Sequence, residues 1–437
     1  MTQEWISEFK GVTEEEWKTQ LIKELRGDES KLIVQNEIEE ISYKTFYYPN
    51  KKTNELQNPT NLPVQRGFIK SSNQWRNGIQ ILITNEVDAN NKALNALMNG
   101  CDFIHFISTR KTNWNVVLNE IGLSYIHTTF SVSDSDDFIS LVNEVGPDQL
   151  CFCSFDLSEK ILNNIEIKDL IKSNQYPVFQ IDGFSINQCG ASAIQELGFV
   201  INKAHAALLQ LMGIGLSIDE ASACIHFKMG IGANYLVEIS KFRSLKVLWA
   251  NLIKAYEPMH NCSLNCQITA EVGWVNKSLK DPHTNLLRQT TEAMSAILGG
   301  IDRLIIHPYD ACSVIGCSEL AQRMALNISN LLQDESYFAS VSDALGGSYA
   351  IESITNELAI KSWDLFKKMD GLSLENQDLE WKKLIDAKAK QRIDLIRNSE
   401  MTLIGINKFP NPEKIDTSWA EPTPFLGMSY LRLETEF

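Results

Sequence analysis

From residue 78 onward, short apolar runs alternate with longer stretches in which apolar side chains recur every three or four positions. The runs Ile79 to Thr84, Phe103 to Ser108, Ser124 to Phe130 and Leu150 to Phe155 read as strands. So do Pro177 to Asp182, Ile225 to Met229, Leu264 to Thr269 and Leu304 to His307. The intervening periodic stretches predict helices. The longest cover Gln188 to Leu211 and Gly232 to Tyr256, with others over Asp88 to Met98, Trp114 to Ile121, Asp134 to Val145 and Leu157 to Ser173. Shorter ones follow at Ile218 to Cys224, Asn285 to Leu298 and Cys317 to Gln333. Two more helices, Tyr349 to Lys368 and Glu375 to Arg397, come after the last strand. Apolar runs each followed by a helix predict a parallel sheet covered by helices. Eight such units are the number that closes a (β/α)8 barrel. The fold expected is therefore α/β, a TIM barrel with an N-terminal extension and C-terminal helices. The alternative, an open doubly wound sheet, would carry a glycine-rich phosphate loop after an early strand, and none is visible.

Residues 1–77 precede the barrel and read as an arm and linker. Thr13 and Glu16 have capping-box spacing, and Trp17, Leu21 and Leu25 fall on one face of the helix that follows. Trp5, Phe9 and the Tyr43, Phe46, Tyr47, Tyr48 cluster make the arm aromatic, while residues 49–63 are polar. Such an arm either packs on its own barrel or grips another subunit; composition leaves both open. Residues 78–409 hold the barrel and its C-terminal helices. Residues 410–437 carry Pro410, Pro412, Pro422 and Pro424, which predict an irregular, surface-bound tail.

Composition narrows the function classes. The 437 residues carry 40 Lys+Arg against 55 Asp+Glu, a net charge of −15, which argues against nucleic acid or an anionic membrane as partner. No stretch approaches a membrane span, and no apolar run opens the chain, so a cytoplasmic location is expected. The nine cysteines form no strong metal pattern: Cys262 and Cys266 lack a second well-spaced pair, and free thiols are expected. Neither a P-loop, a G-x-S-x-G elbow nor H-E-x-x-H occurs. Asp281-Pro282-His283 has the start of a D-x-H-x-x-G cobalt-ligand pattern, but Leu286 stands where its glycine would fall, so a helix start is the reading.

Longer strings carry more information. They are Asp182-Gly183-Phe184-Ser185-Ile186-Asn187-Gln188-Cys189-Gly190-Ala191; Gly230-Ile231-Gly232-Ala233-Asn234-Tyr235 with Glu238, Lys241 and Arg243; and Asn265-Cys266-Gln267 with Gly273-Trp274. Further along come Asp281-Pro282 with Asn285, Arg288 and Glu292, then Gly346-Gly347-Ser348-Tyr349, and finally Arg392-Ile393-Asp394 with Gly405-Ile406-Asn407-Lys408. Together they resemble the adenosylcobalamin-dependent acyl-CoA mutase family, most closely the methylmalonyl-CoA mutases. The resemblance runs from about Arg66 to Phe409. It implies a barrel threaded by an acyl-CoA and capped by cobalamin, for the radical rearrangement of methylmalonyl-CoA to succinyl-CoA.

The departures from that family are informative. Catalytic members read Gly-Tyr-His after the fifth strand, a radical-steering tyrosine and a thioester-binding histidine. Here the positions are Gly183-Phe184-Ser185; Phe184 has no hydroxyl and Ser185 is too short to place a donor where an imidazole would. The resemblance also implies a substrate-holding glutamine and arginine after the fourth strand. Residues Cys151 to Lys160 contain neither, and Asp156 and Glu159 would repel a carboxylate. Asn265 stands in place of a histidine, Gln267 is retained, and Glu292 matches a glutamate that contacts the cofactor's sugar in catalytic members. The family's cobalamin domain needs about 100–150 residues, and 28 follow Phe409. The site is therefore expected to be degenerate at Phe184, Ser185, Asn265, Gln267 and Glu292, with no catalytic residue, no metal and no cofactor bound by this chain alone. The resemblance implies a non-catalytic small subunit that docks on a large catalytic methylmalonyl-CoA mutase subunit, which would hold the adenosylcobalamin. Two other readings stay open: an active barrel working with a separate cobalamin-binding chain, and a self-associating scaffold. Strand register leaves open whether His105, His127, Thr128 and Gln180 face the axis, and with it a residual acyl-CoA affinity.

Overall fold

The computed structural model describes residues 11–47, 72–132, 135–145, 151–154, 179–412, 418–420 and 424–436. Expectations on Trp5, Phe9, Tyr48, residues 49–63, Asp156, Glu159 and the helix over 157–173 lie outside them. Two strands, β1 (Ile33–Asn36) and β2 (Ile41–Lys44), pair as an antiparallel hairpin. Eight more make a parallel sheet. They are β3 (Arg76–Leu82), β4 (Phe103–Ile107), β5 (His127–Ser131), β6 (Cys151–Ser154), β7 (Phe179–Asp182), β8 (Ile225–Ile231), β9 (Gln267–Val272) and β10 (Arg303–Ile306). Their order is β6-β5-β4-β3-β10-β9-β8-β7, and β6 and β7, the two ends, lie against each other. First strand beside last, with neighbours in chain order elsewhere, is the topology of a closed (β/α)8 barrel.

The outward faces of the strands are apolar and pack beneath the helices. Ile104, Phe106, Phe130, Phe227, Met229, Ile268, Ala270 and Leu304 are buried in one core. Phe227, for example, meets the edge of Trp249 at a centroid distance of 5.2 Å. Helices begin where a side chain can accept from the exposed backbone N–H groups. Ser192 and Gln195 form a capping box at the helix Ala193–Gly213, and Ser217 and Glu220 form another at Ile218–Ala223. Gly300, at φ +82°, ends Thr284–Gly299 in the left-handed conformation.

Several boundaries differ from expectation for local reasons. The helix foreseen from Gln188 is two: Gly183–Gln188, then a turn through Gly190 at φ +98°, then Ala193–Gly213. The stretch after Trp114 supports a single turn, Trp114–Val117. The strand foreseen at Leu264 to Thr269 runs from Gln267 to Val272 instead, because Asn261–Leu264 closes a 3-10 turn and a buried Glu271 continues the strand. A carboxylate in a strand reads as a strand end unless its partners are known.

Helix Tyr349–Asp370 forms an outer layer on Ala193–Gly213 and Tyr235–Lys254, and the β1–β2 hairpin rests on it. The hairpin is anchored by charge: buried Glu39 accepts from the Ala193 N–H at 2.5 Å and from Arg392 at 3.3 Å, while Glu40 pairs with Lys388 at 2.5 Å. By contrast the arm helix Glu14–Glu24, with the expected Thr13–Glu16 capping box, has no buried residue. Trp17 stacks on Phe46 at 4.8 Å, and Phe46 remains exposed. The tail departs from expectation. It is irregular, but Met428, Leu431, Leu433 and Glu434 are buried against the barrel. Among the described residues, no helix is long and apolar enough to cross a membrane.

Candidate functional site at the barrel axis

Ladder register decides which side chains meet inside the barrel. Gln80, His105 and Thr129 are cross-strand partners, as are Asp182, Lys228, Thr269 and Arg303. Paired residues share a face of the sheet. His105 reaches Glu271 across the axis at 3.9 Å, so this face is the interior. His105, His127 and Gln180 therefore point inward and Thr128 outward. The interior is polar, unlike the bulky aliphatic filling usual in such barrels.

One cluster dominates the upper axis. Glu271 is completely buried and lies 3.5 Å from the Lys228 ammonium and 3.3 Å from His307 Nε2, in addition to His105. Burial pushes the Glu271 carboxyl up, but Lys228 and the two imidazoles outweigh it and hold the group below the usual carboxylate range. Lys228 responds in kind: burial opposes its charge, and Glu271 and Asp182 raise its pKa overall. Burial lowers His105. Lower in the barrel, His226 Nε2 meets Thr269 Oγ1 at 2.8 Å, and burial with the nearby Arg303 keeps His226 well below its ordinary pKa.

The mouth is closed by rings and by the tail. Phe184, which follows β7, is buried. It meets Trp274 edge-on at 5.6 Å, lies 5.9 Å from His307, and carries the Lys228 ammonium 4.8 Å above its face. Ser185 donates its hydroxyl to Asp182 Oδ2 at 2.8 Å and accepts from Tyr430 Oη at 3.2 Å. Tyr430 lies near Trp274, ring centroids 6.4 Å apart, and the Leu431 and Leu433 N–H groups donate to the carbonyls of Gln188 and Val275. The tail thus straps the C-terminal ends of β7 and β9.

The five degenerate positions do not converge. Phe184 and Ser185 sit together at the mouth. Gln267 opens β9 at the opposite end of the barrel, where its Oε1 accepts from Arg303 at 3.1 Å. Asn265 precedes that strand and offers its backbone carbonyl to Trp249 Nε1. Glu292 lies on the helix Thr284–Gly299, buried, with Lys277 at 2.7 Å and Asn276 at 2.8 Å. His283 directly precedes the same helix without a side-chain capping bond, its ring 5.5 Å from Tyr309, and Asp281 accepts from Thr284 Oγ1. Sequence reasoning missed Lys228, Glu271 and His307. Their signal was polar alternation, His226-x-Lys228 inside an expected strand and Thr269-x-Glu271 across the end of another.

A second buried charge group supports β8. The Lys241 ammonium donates to Glu196 Oε2 and the Gly230 carbonyl, both at 2.8 Å, and meets Glu238 at 2.6 Å. Glu196 Oε1 accepts from the Gly230 N–H at 2.8 Å. Burial pushes the Glu196 carboxyl up to about 7, despite Lys241. The string that carries Glu238 and Lys241 thus has a structural role here.

Fold and axis together define a (β/α)8 barrel with a polar, ion-paired interior and a strapped mouth. The family model described as methylmalonyl-CoA mutase matches residues 166–424, more than half of the 437-residue chain, and the chain belongs to that family. It is similar to the methylmalonyl-CoA mutase small subunit of Porphyromonas gingivalis, 28% identical over 93% of this chain and 71% of that protein. It is also similar to the methylmalonyl-CoA mutase of Rhizobium meliloti, 30% identical over 57% of this chain and 36% of that one. The mitochondrial enzyme of Bos taurus is 33% identical over 52% of this chain and 31% of its own length. The chain thus spans about a third of the length of these last two relatives.

Proposed function

We propose that this chain is the non-catalytic small subunit of a heterodimeric methylmalonyl-CoA mutase. It docks on a large subunit that carries adenosylcobalamin and isomerises methylmalonyl-CoA to succinyl-CoA, and it stabilises that subunit by binding its folded form. The observation that carries this reading is the Lys228–Glu271 pair with His105 and His307 on the axis, beneath Phe184. An acyl chain threading this axis would have to separate a buried ion pair, at about 3–5 kcal/mol. The residues that could answer to the family's chemistry are already engaged. Phe184 has no hydroxyl to steer a radical, and the Ser185 hydroxyl is held between Asp182 and Tyr430. Adenosylcobalamin does not fit the one residue matched to its sugar contact: both Glu292 oxygens face Lys277. No step of chemistry is therefore assigned to this chain.

The small-subunit relative in Porphyromonas gingivalis supports the pairing. So does the arm, whose helix has no fully buried residue and carries half-buried Trp17 beside exposed Phe46. The test is co-expression with the large subunit of the same organism, followed by gel filtration with light scattering. A one-to-one complex with a higher unfolding temperature for the large subunit is expected, together with no succinyl-CoA from the isolated chain supplied with methylmalonyl-CoA and adenosylcobalamin. Turnover by the isolated chain, or no complex, overturns the reading; self-association in place of the complex would leave a scaffold.

A further inference from the structure

The first and last helices of the barrel, Glu86–Met98 and Glu319–Asn330, leave a cleft of about 310 Å³ over β3 and β10. Its floor is apolar, built from Ile79, Ile81, Ala96, Ala325 and Leu326. Lys92 lines it from one helix and Arg323 from the other, with Glu319 at the rim. Neither cation has an ion-pair or hydrogen-bond partner among the described residues. Arg110 nearby, in contrast, pairs with Glu86 at 3.3 Å and donates to the Thr84 carbonyl at 2.9 Å. The chain as a whole carries −15, so this cleft, flanked by two cations, is locally of opposite sign. With Glu319 counted, the lining carries a net charge of +1.

We propose that this cleft binds a small amphipathic anion: an apolar body on the floor and a single negative head between Lys92 and Arg323. The volume sits at the lower end of the roughly 300–1,000 Å³ of ligand pockets. That size suits a medium-chain carboxylate better than a nucleotide. Burial of the chain supplies about 0.8 kcal/mol per methylene, and the two cations select the sign of the head.

The rim supplies its own reporter. Cys317 is an exposed thiol lining the cleft, while Cys262 is an exposed thiol remote from it in sequence and not in its lining. The experiment uses the full chain, with octanoate as probe and octylamine and octan-1-ol as cationic and neutral comparators. Iodoacetamide alkylation of each cysteine is followed by peptide mapping, and affinity by calorimetry. Octanoate is expected to bind one-to-one, to protect Cys317 and not Cys262, and to bind at least about tenfold more tightly than octylamine. The K92E/R323E variant should lose the protection, and K92Q/R323Q should weaken it; both side chains are exposed, so the unfolding temperature should not move. Equal protection of both thiols, protection that survives charge reversal in a folded variant, or equal binding of octylamine would each overturn the site. These outcomes are independent of whether a large subunit binds.

Discussion

Replacing Lys228 by Met tests the central feature of the barrel. The ammonium lies 3.5 Å from Glu271 Oε1, with side chains 8% and 0% exposed. At an effective dielectric of about 20, unit charges at that distance attract by about 5 kcal/mol. Removing the cation leaves Glu271 buried with His105 and His307 as its remaining ion-pair partners among the described residues, and such a half-broken pair costs about 3–5 kcal/mol. The double variant Lys228→Met/Glu271→Leu removes both charges at similar volume and should lie within about 1–2 kcal/mol of the parent, giving a clear coupling energy in the cycle.

The pH dependence gives a second readout. In the parent, Glu271 is held below its ordinary 4.5 and Lys228 above its ordinary 10.5. A depressed carboxyl contributes stability that is complete above its unfolded pKa and lost as pH falls through the folded one. A raised ammonium contributes stability that is complete below its unfolded pKa and lost as pH rises through the folded one. The pair's contribution is therefore flat between about pH 5 and 10. In Lys228→Met the isolated carboxyl moves up, so its deficit should shrink as the pH is lowered from 8 to 5. Urea unfolding followed by tryptophan fluorescence and circular dichroism measures both. A deficit under about 1 kcal/mol at pH 8, or one as large in the double variant, would refute the coupling.

Four further outcomes follow. Lys241→Met should cost about 3–5 kcal/mol at pH 8, because Glu196 and Glu238 lose their shared cation; chemical denaturation checks it. Glu196, raised from 4.5 to about 7, contributes stability that is complete below 4.5 and lost as pH rises through 7, so Glu196→Gln should flatten the stability profile across that window. Gly273→Ala would drive its methyl into the Gln188 side chain, whose oxygen accepts from Trp274 N at 2.6 Å; a loss of about 1–3 kcal/mol and a shifted tryptophan emission are expected. Deleting residues 1–32 should leave the unfolding temperature within about 2 °C, since Glu14–Glu24 has no fully buried residue, while it weakens capture of the large subunit.

The barrel was legible because the outward face of its strands is mainly apolar and its helices carry readable caps. Asn85, Ser192, Ser217 and Ser318 all accept from the helix they precede. The interior was not legible, because a charge in a strand has no meaning until its partner is known. Glu271 comes from β9, Lys228 from β8, His105 from β4 and His307 from the end of β10, and no local spacing links them. The five positions taken from the family resemblance were individually interpretable, yet only Phe184 and Ser185 share a site. The tail was misread as surface-bound because prolines mark irregular backbone but say nothing about where it lies.

A barrel lined with charge is held in register differently from one lined with aliphatic side chains. In an aliphatic interior, a slip of one residue exchanges one apolar face for another of similar character. Here it would place Lys228, Glu271 and His105 beneath the helices and Phe227, Ala270 and Phe106 on the axis. Four side chains from four separated strand segments meet correctly in one register, so their pairing discriminates against every neighbouring one. On the reading proposed above, a barrel that acts by presenting a rigid surface still requires its strands to be locked, and the ion cluster on the axis locks them.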